Sequence, residues 1–378
     1  MVELNFLTEL MLALGLGYFF CTLYLLSHPG PQAIQPKRWP SVAVLIAMRN
    51  EENYIAECLL SLEKQDYPAH LFRVYIIDDR STDQSAEVIR PIIDRNDHFM
   101  LISISEDKYG LSGKMNALAQ GLEKVDEELV LVTDADCVLP PTWLRRFSEY
   151  FDDETIMVGG LTLLEPPPNF PPRTYRGHFF GRIQALDWIY LQAIAAATCN
   201  AGLPLSILGN NFAFRLDAYK QIGTFHELGF SVTEDFALMR AFEKKGLGRI
   251  KYVLDPELTI FSHPVDSLAD FYRQRKRWVI GGKDVRPWGY FLVGLSFLAH
   301  LSVVLTVILL QWKVAAALGI GLIIGSDFLV INRILRQHKL TALKKYFPAF
   351  ELFYTVYLIV FGFSFPFLRK VQWKERIY

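Results

Sequence analysis

The stretch LVTDADCVLP, residues 131–140, places two carboxylates two positions apart directly after a run of apolar residues. The apolar run at residues 129–132 predicts a buried strand that ends at the acids. Asp134 and Asp136 would point to the same side of an extended segment, because side chains alternate along a strand. Close like charges raise each other's pKa and resist burial. The pattern therefore predicts a site for a divalent cation or for sugar hydroxyls.

The segments around this stretch alternate between strand-like and helix-like patterns. SVAVLIAMRNEE, FRVYIIDDRSTD, FMLISIS and ELVLVTDADC each predict a strand, and NYIAECLLSLEKQ, SAEVIRPIIDR and GLSGKMNALAQGLEKV predict the helices between them. Such alternation is typical of an α/β fold with a parallel, doubly wound sheet. Ligands bind these sheets at the carboxyl ends of the strands. Residues 48–51, 78–83 and 134–136 all fall at such ends, so three segments deliver polar groups to one edge.

The composition is apolar for a soluble protein, with 51% hydrophobic residues among 378 and a net charge of −1. Four apolar runs, at residues 10–26, 290–310, 314–331 and 350–368, have about the length that crosses a bilayer. The expected organisation is an N-terminal transmembrane anchor at residues 1–30, an α/β domain at residues 31–288 and C-terminal transmembrane helices at residues 289–378.

The charges beside the first apolar run predict an orientation. Glu3 and Glu9 occur in its leading segment, which is unlike a signal peptide, whereas Lys37 and Arg38 follow it. The positive-inside rule then places the α/β domain in the cytoplasm. The C-terminal tail is also basic, which conflicts with a simple fourth crossing. Either residues 350–368 are re-entrant or another span is misassigned.

Two ionisable residues lie inside the predicted spans, His300 in the second and Asp327 in the third. An ionisable side chain in the hydrocarbon region is costly and often functional. The structural alternative is that each faces the protein interior or that the two face each other.

Several other functions are disfavoured by the sequence. The chain has no G-x-G-x-x-G after the first strand and no G-x-x-x-x-G-K-[ST], which weakens dinucleotide-binding and P-loop interpretations. A net charge near zero, without a basic stripe interleaved with aromatics, argues against a nucleic-acid partner. The four cysteines lack metal-ligand spacing, so reduced thiols are expected.

Seven motifs follow in one order along the chain: AMRNEE, IIDDRSTD, GKMNAL, TDADC, GNNFAFR, VTEDFAL and QRKRW. Each alone is weak, but together, between apolar spans, they resemble family-2 glycosyltransferases. The resemblance is strongest to the membrane-embedded branch that includes cellulose, chitin, hyaluronan and poly-N-acetylglucosamine synthases and ceramide glucosyltransferases. It covers about residues 42–278 and the flanking spans. It implies a GT-A-like, nucleotide-sugar-binding cytoplasmic domain that transfers sugar with inversion.

The resemblance assigns the metal site to the TDADC motif. It makes Asp136 a ligand of Mg²⁺ or Mn²⁺ and gives Asp134 a contact with the ribose or the donor. These hard ions prefer carboxylate and phosphate oxygens. A cation there would stabilise the negative charge that builds on a departing diphosphate.

Four more residues are assigned to the donor by the same resemblance. Asp78 and Asp79 match nucleotide-binding acids, one of which would accept a hydrogen bond from the base, as the N3–H of uracil offers. Lys114 suits a diphosphate cation, with Asn116 in support. The structural alternatives are that Asp79 only caps the next helix and that Lys114 is a solvated surface lysine.

The catalytic base is assigned to the VTEDFAL motif. Inverting transfer needs a group that takes the proton from the acceptor hydroxyl, and the resemblance gives this role to Asp235, with Glu234 beside it in substrate binding. Both acids fall at the expected start of a helix whose buried side would carry Phe236, Leu238, Met239 and Phe242. The alternative is that two acids simply favour a helix N-terminus.

The QRKRW motif supplies the last predicted site residues, Gln274, Arg277 and Trp278. The resemblance gives Arg277 to the donor diphosphate and Trp278 to the acceptor sugar. The alternative is juxtamembrane snorkelling and contact with lipid headgroups. Asn210 and Asn211 are further candidates for the acceptor site.

The sequence therefore predicts a membrane-bound inverting hexosyltransferase, with a UDP-sugar as the first donor to test and a lipid or a growing polysaccharide as acceptor. Single transfer and processive synthesis both stay open, since the few spans favour the first and the QxxRW motif the second. A catalytically silent, nucleotide-sugar-binding subunit of a polysaccharide synthesis complex is the alternative. The expected location is a bacterial plasma membrane.

Overall fold

The computed structural model describes residues 2–166, 178–309, 313–368, 372–373 and 376–377. They form two compact units. The sheet unit comprises Gly30–Arg176 and Ser206–Pro264, and the helical unit comprises Met1–Pro29, Gly177–Leu205 and Val265–Tyr378. Most of the Pro-rich segment at residues 165–175 and most of the basic C-terminal tail lie outside the described residues.

These units do not coincide with the three segments expected from the sequence. Residues 177–205 and 265–288 were expected within the α/β domain, but they group with the apolar helices in the helical unit. The functional division at residues 30 and 288 stays a prediction.

The elements are numbered in chain order. The helices are α1 Val2–Leu26, α2 Ile55–Leu62, α3 Ser85–Ile93, α4 Gly113–Leu122, α5 Trp143–Ser148, α6 Phe179–Asn200, α7 Leu216–Gln221, α8 Thr224–Leu228, α9 Glu234–Lys245, α10 Leu268–Gly281, α11 Pro287–Ile308, α12 Val314–Gln337 and α13 Phe347–Ser364. The strands are β1 Val42–Met48, β2 Phe72–Asp78, β3 Phe99–Ser103, β4 Leu129–Asp134, β5 Thr155–Gly160, β6 Thr162–Leu163, β7 Asn211–Arg215, β8 Arg249–Val253, β9 Ile260–Phe261, β10 Gln372–Trp373 and β11 Arg376–Ile377.

The sheet unit is built on a seven-stranded sheet in the order β3-β2-β1-β4-β7-β5-β8. The pairs β1–β2, β1–β4 and β2–β3 are parallel, which confirms the predicted strand–helix alternation up to β4. Beyond β4 the sheet is mixed, because β7 runs antiparallel between β4 and β5. The central strand β1 is fully buried from Val42 to Ile46, as expected for a strand covered on both faces.

The register of the three central strands aligns their carboxyl ends. Ala47 of β1 is opposite Asp134 of β4, and Met48 is opposite Asp78 of β2. The polar segments that follow β1, β2 and β4 therefore emerge at one edge, as the sequence predicted.

Among its described residues, the helical unit contains four helical segments long and apolar enough to cross a membrane: Thr8–Leu26, Pro287–Ile308, Val314–Gln337 and Thr341–Phe367. They correspond to the four predicted apolar runs. The fourth begins with a short 3₁₀ helix, Thr341–Tyr346, before α13. By their length and composition, these segments are candidate transmembrane helices.

The helix α6 is the central element of the helical unit. It contacts α1, α12 and α13, and its residues are buried around most of its circumference, including the charged Asp187. The sequence FFGRIQALDWIYLQAIAAA is equally compatible with an interfacial helix and with a buried helix. The structure shows a buried helix.

Two glycines allow α1 and α12 to approach closely. A Cβ atom at Gly15 would lie 2.7 Å from the carbonyl oxygen of Gly319, and one at Gly319 would lie 2.8 Å from the carbonyl oxygen of Met11. Backbone atoms cannot move aside as a flexible side chain does. Small residues at such contacts let helices pack in a membrane, where helix association has no hydrophobic drive.

We expect Gly319→Val to destabilise the protein by about 1–3 kcal/mol, the range for overpacking a tight contact. Gly321→Val is the matched control, since no atom lies within 4 Å of a Cβ added at Gly321. The thermal unfolding midpoint in detergent, compared with that of the unmodified chain, checks this. Equal midpoints for the two variants would show that the glycine contact carries no stability.

Candidate active site

The loops after β1 and β2 hold each other in place at the edge of the sheet. Asn50 and Arg80 both adopt left-handed backbone conformations, with φ of 55° and 59°. The Asn50 side-chain oxygen accepts a hydrogen bond from the Thr82 amide at 2.8 Å, and the Asn50 amide donates to the Ser81 hydroxyl at 3.1 Å. Backbone strain of this kind persists where the surroundings enforce it, and it clusters at functional sites.

The predicted nucleotide-binding acids are both buried at this edge. The amide of Ser81 donates to Asp78 Oδ1 at 3.0 Å, and the Arg80 Nε donates to Asp79 Oδ1 at 2.9 Å. Arg80 also forms an ion pair with Asp107. Asp79 is thus tied to a cation, and its carboxylate is oriented by it.

The backbone amide at the start of α3 is hydrogen-bonded to Asp83 and not to Asp79. Its first residue, Ser85, donates its amide to Asp83 Oδ1 at 3.0 Å. The alternative in which Asp79 serves only to cap this helix is therefore not supported.

Asn116 holds the segment that carries Asp107. Its side chain is fully buried, accepts from the Lys108 amide at 3.0 Å and donates to the Glu106 carbonyl at 3.2 Å. Through this segment Asn116 supports the Asp107–Arg80 ion pair. The expected support of Lys114 by Asn116 stays a prediction.

Lys114 lies among three acceptors. Its Nζ is 2.7 Å from Asp134 Oδ1, 2.8 Å from Glu234 Oε1 and 2.7 Å from the Gly209 carbonyl oxygen. Burial alone would lower the pKa of Lys114, but the two carboxylates outweigh burial and raise it well above its usual value. With a side chain only 13% exposed, Lys114 is not a solvated surface lysine. It links α4 to β4 and to the start of α9.

The carboxylate pair of the TDADC motif is arranged differently from the extended geometry predicted. The strand β4 ends at Asp134, and Asp136 lies in the turn that follows. Asp136 Oδ2 accepts from the Ser262 hydroxyl at 3.0 Å. Burial, and then the charge of Asp134, raise the pKa of Asp136, while His263 opposes the shift. The sequence analysis missed Ser262 and His263, whose signal is the SHP segment directly after β9.

The acids of the VTEDFAL motif begin α9 as predicted. Asp235 Oδ1 accepts from the Phe236 amide at 2.8 Å, and the four predicted apolar residues are buried. Gly209 packs against both acids: a Cβ there would lie 2.9 Å from Asp235 Oδ2 and 3.1 Å from Glu234 Oε1. Gly209 therefore makes room for the acids while its carbonyl accepts from Lys114. The GNNFAFR motif predicted a role only for its asparagines, and Gly209 was not among the predicted site residues.

The two asparagines of the GNNFAFR motif are largely buried. Asn211 accepts from the Trp143 indole at 2.9 Å and donates to the Leu161 carbonyl at 2.8 Å, with no exposed surface. Its position contradicts the expectation that it lines an acceptor site. Asn210 accepts from the Thr162 hydroxyl at 2.9 Å and is 7% exposed.

The QRKRW residues lie on α10, in the helical unit. Gln274, Arg277 and Trp278 are all partly exposed, and Gln274 accepts from the neighbouring Arg275 at 2.9 Å. Trp278 packs against Trp188 of α6 with ring centroids 5.0 Å apart.

Arg275 is the buried cation of this motif. It was not among the predicted site residues. It forms an ion pair with Asp187 of α6, and Tyr357 of α13 donates to the same carboxylate. The guanidinium carbon also lies 4.1 Å from the centroid of the Trp278 ring, a cation–π geometry. Arg275 thus holds Trp278 in place, and the signal that would have indicated its partner was an aspartate in the apolar helix α6.

The profile of the family described as "Glycosyltransferase like family 2" matches residues 40–281, more than half of the chain. The chain belongs to glycosyltransferase family 2. The match includes all seven motifs and every predicted site residue.

Curated relatives of this glycosyltransferase have different products in their names. The poly-β-1,6-N-acetyl-D-glucosamine synthase of Staphylococcus aureus (strain MSSA476) is 27% identical over 251 residues, 66% of this chain and 56% of the relative. The β-monoglucosyldiacylglycerol synthase of a Synechocystis strain is 27% identical over 245 residues, 65% of this chain and 48% of the relative. The chain therefore spans about half the length of these relatives.

A solved structure shares the fold of this glycosyltransferase. The mannosyltransferase PcManGT of Pyrobaculum calidifontis, in complex with GDP-Man and Mn²⁺, aligns with a TM-score of 0.61 and 19% identity. The alignment covers 96% of this chain and 97% of that one. The predicted GT-A-like α/β fold with flanking apolar helices is confirmed.

Removing the bridging ammonium should destabilise this glycosyltransferase. We expect Lys114→Met to lower the free energy of unfolding by about 3 kcal/mol, because it leaves the Glu234 carboxylate buried without its cation. Adding Glu234→Gln should recover a large part of the loss, as unfolding of the full chain in detergent would measure.

Lys251→Met is the matched control for that experiment. Lys251 is as buried as Lys114 and bonds Asp152 at 2.8 Å, but Asp152 is 36% exposed and can be solvated. We expect a smaller loss for this variant. A loss equal to that of Lys114→Met would contradict the role given to the buried Glu234.

Proposed function

We propose that the chain is a membrane-bound inverting glycosyltransferase that moves a sugar from a nucleoside-diphosphate sugar to a lipid or glycan acceptor. A UDP-sugar is the first donor to consider, and Asp235 acts as the general base. The proposal places the sheet unit in the cytoplasm of a bacterium, at the plasma membrane. Membership of the family supports the reaction class, and the geometry of the sheet unit supports the roles of individual residues.

One observation carries the proposal. A single ammonium, that of Lys114, joins the acids of two different motifs, Asp134 at the end of β4 and Glu234 at the start of α9. Asp136 and Asp235 are their near neighbours in the chain. Two carboxylates thus share one ammonium, which leaves a net negative charge on this group of three side chains. A fold alone does not require such a charge, but this charge favours the binding of a divalent cation.

The residues fit a divalent cation at Asp136. Asp134 is already bonded to Lys114, whereas Asp136 bonds only neutral hydroxyl and thiol groups among its described partners. Burial, and then the charge of Asp134, raise the pKa of Asp136, as in a buried carboxylate to which a bound cation would be favourable. Mg²⁺ or Mn²⁺ would find there the hard oxygen ligand that each prefers, and would supply stabilisation of the diphosphate leaving group.

Asp235 suits the role of base. The Phe236 amide fixes the orientation of its carboxylate, and Gly209 leaves space beside Oδ2. In the proposed reaction the acceptor hydroxyl loses its proton to Asp235 while its oxygen bonds the anomeric carbon of the donor sugar. The bond from that carbon to the diphosphate oxygen breaks, and the nucleoside diphosphate leaves with the electron pair on the opposite face. The configuration is thereby inverted.

The remaining assignments concern the two substrates. Asp78 and Asp79 are proposed to bind the nucleoside, and Arg277 the diphosphate, with Trp278 stacking on the acceptor sugar. Gln274 completes the substrate-binding set. Lys114 keeps Asp134 and Glu234 in position, and contact of its ammonium with the diphosphate would require it to exchange one of these partners.

We expect Asp235→Asn to lower the rate of sugar transfer by about 10²–10⁴-fold, the usual contribution of general base catalysis. Binding of the nucleotide sugar should be retained. The assay is release of nucleoside diphosphate and transfer to acceptor by detergent-purified protein, with a panel of UDP-, GDP- and dTDP-sugars.

Asp217→Asn is the matched control for the base. Asp217 also lies in the first turn of a helix and accepts from the next amide, that of Ala218, at 2.7 Å, but it is exposed. Its loss should leave transfer unchanged. If Asp235→Asn and Asp217→Asn lower the rate of sugar transfer equally, the carboxylate of Asp235 serves only to stabilise the start of α9. If the unmodified chain binds nucleotide sugar and transfers nothing to lipid or glycan acceptors, the proposal gives way to a silent binding subunit.

A second variant tests the metal. Asp136→Ala should abolish the stimulation of transfer by Mn²⁺ or Mg²⁺, because it removes the proposed ligand. Titration of the unmodified chain with each ion after chelation provides the reference. Retained stimulation in the variant would exclude Asp136 as an essential ligand.

A further inference from the structure

A cluster of ionisable side chains lies inside the helical unit and is built from residues that have no role in the proposed reaction. His300 Nε2 is 3.0 Å from Asp327 Oδ2 and 3.5 Å from Glu351 Oε1. The three side chains come from α11, α12 and α13, with His300 and Asp327 in the middle part of their helices and Glu351 in the second turn of α13. The sequence alternative in which His300 and Asp327 face each other is confirmed. Glu351 is the residue that sequence reasoning missed.

Surrounding groups fix the orientation of this cluster. His300 Nδ1 is 2.8 Å from the carbonyl oxygen of Ser296, which can only accept, so Nδ1 carries a proton. The Tyr18 hydroxyl of α1 donates to the other Asp327 oxygen, Oδ1, at 2.6 Å. Partners of this kind, which hold a ligand atom in place from behind, are typical of metal-binding histidines and carboxylates.

The cluster is buried and incompletely bonded. His300 and Asp327 are essentially inaccessible, and Glu351 is 9% exposed. Glu351 Oε2 accepts no hydrogen bond from any of the residues that the structure describes. An unpartnered carboxylate oxygen at such depth is costly, and it indicates that a further group belongs there.

The charges indicate what that group is. Two carboxylates and a neutral imidazole carry a charge of −2, which one divalent cation brings to zero. A protonated imidazole leaves −1 uncompensated in an apolar environment. A divalent cation therefore neutralises the cluster completely, which a single proton on His300 does not.

We propose that His300 Nε2, Asp327 and Glu351 bind one divalent transition-metal ion within the helical unit. The ligand atoms lie within 4.8 Å of one another, with two separations of 3.0 and 3.5 Å. A tetrahedral site with bonds of about 2.0 Å separates its ligands by about 3.3 Å, so only the two carboxylates need to approach each other. One imidazole nitrogen with carboxylate oxygens suits Zn²⁺ and Mn²⁺.

The ion would join α11, α12 and α13, and it is distinct from the ion proposed at Asp136. Its ligands share no residue with the proposed donor site. Binding displaces any proton shared by Nε2 and the carboxylates, so the affinity should fall at low pH.

The test measures metal content in full-length protein that carries no histidine tag. The Asp136→Ala variant serves as the parent, so that the ion proposed for catalysis does not contribute. After chelation, the protein is dialysed separately against Zn²⁺ and Mn²⁺, passed through a desalting column and analysed by inductively coupled plasma mass spectrometry. We expect about one ion per chain for at least one metal, as one closed site requires.

Glu351→Gln and Asp327→Asn in the same parent should each lower that content at least about tenfold, the effect of losing a charged ligand from a small site. Asp270→Asn is the matched control, because it removes an exposed carboxylate of the same unit. Its metal content should equal that of the parent.

Two results would overturn the proposal. One is a folded, monodisperse parent that takes up neither ion. The other is uptake that Glu351→Gln leaves unchanged. If both ligand variants fail to fold, the X-ray absorption spectrum of the Zn²⁺-loaded parent decides: one imidazole with oxygen ligands supports the site, and any other ligand set excludes it.

Discussion

The Lys114 ammonium lies between the carboxylates of Asp134 and Glu234, and the arrangement of the proposed active site depends on it. Without this cation the buried Glu234 would lose its charge compensation, and α9 would have no charged link to β4. The same link sets the position of Asp235, because it follows Glu234 in the first turn of α9. The Gly209 carbonyl takes the third proton of the ammonium, which draws the segment before β7 into the cluster.

Both units bury carboxylates, and they compensate the charges of these carboxylates in different ways. In the sheet unit one lysine serves two acids, and the negative charge left over is what a donor complex would use. In the helical unit Arg275 compensates Asp187 and is covered by aromatic rings. The His300 cluster has no such cation among the described side chains. The contrast among these three clusters distinguishes paired charges from charges that still require a ligand.

The sequence predicted the first four strands because their apolar runs and turn residues repeat regularly, and it placed the polar strand ends correctly at one edge. It could not predict that β7 inserts antiparallel beside β4, since strand order depends on long-range pairing. It identified acids by motif, but not their partners: the link from Lys114 to Glu234 joins residues far apart in the chain. Gly209 was missed because a role based on an absent side chain leaves no chemical signal.

The helical unit draws its segments from the beginning, the middle and the end of the chain. During synthesis α6 therefore emerges before the helices α12 and α13 that cover it exist. The sheet unit must complete its last strands while α6 has only α1 of the partner helices α1, α12 and α13 and while Asp187 still lacks Arg275 and Tyr357. Substitutions that slow the folding of α12 or α13 should therefore lengthen the time for which α6 is exposed to chaperones and proteases.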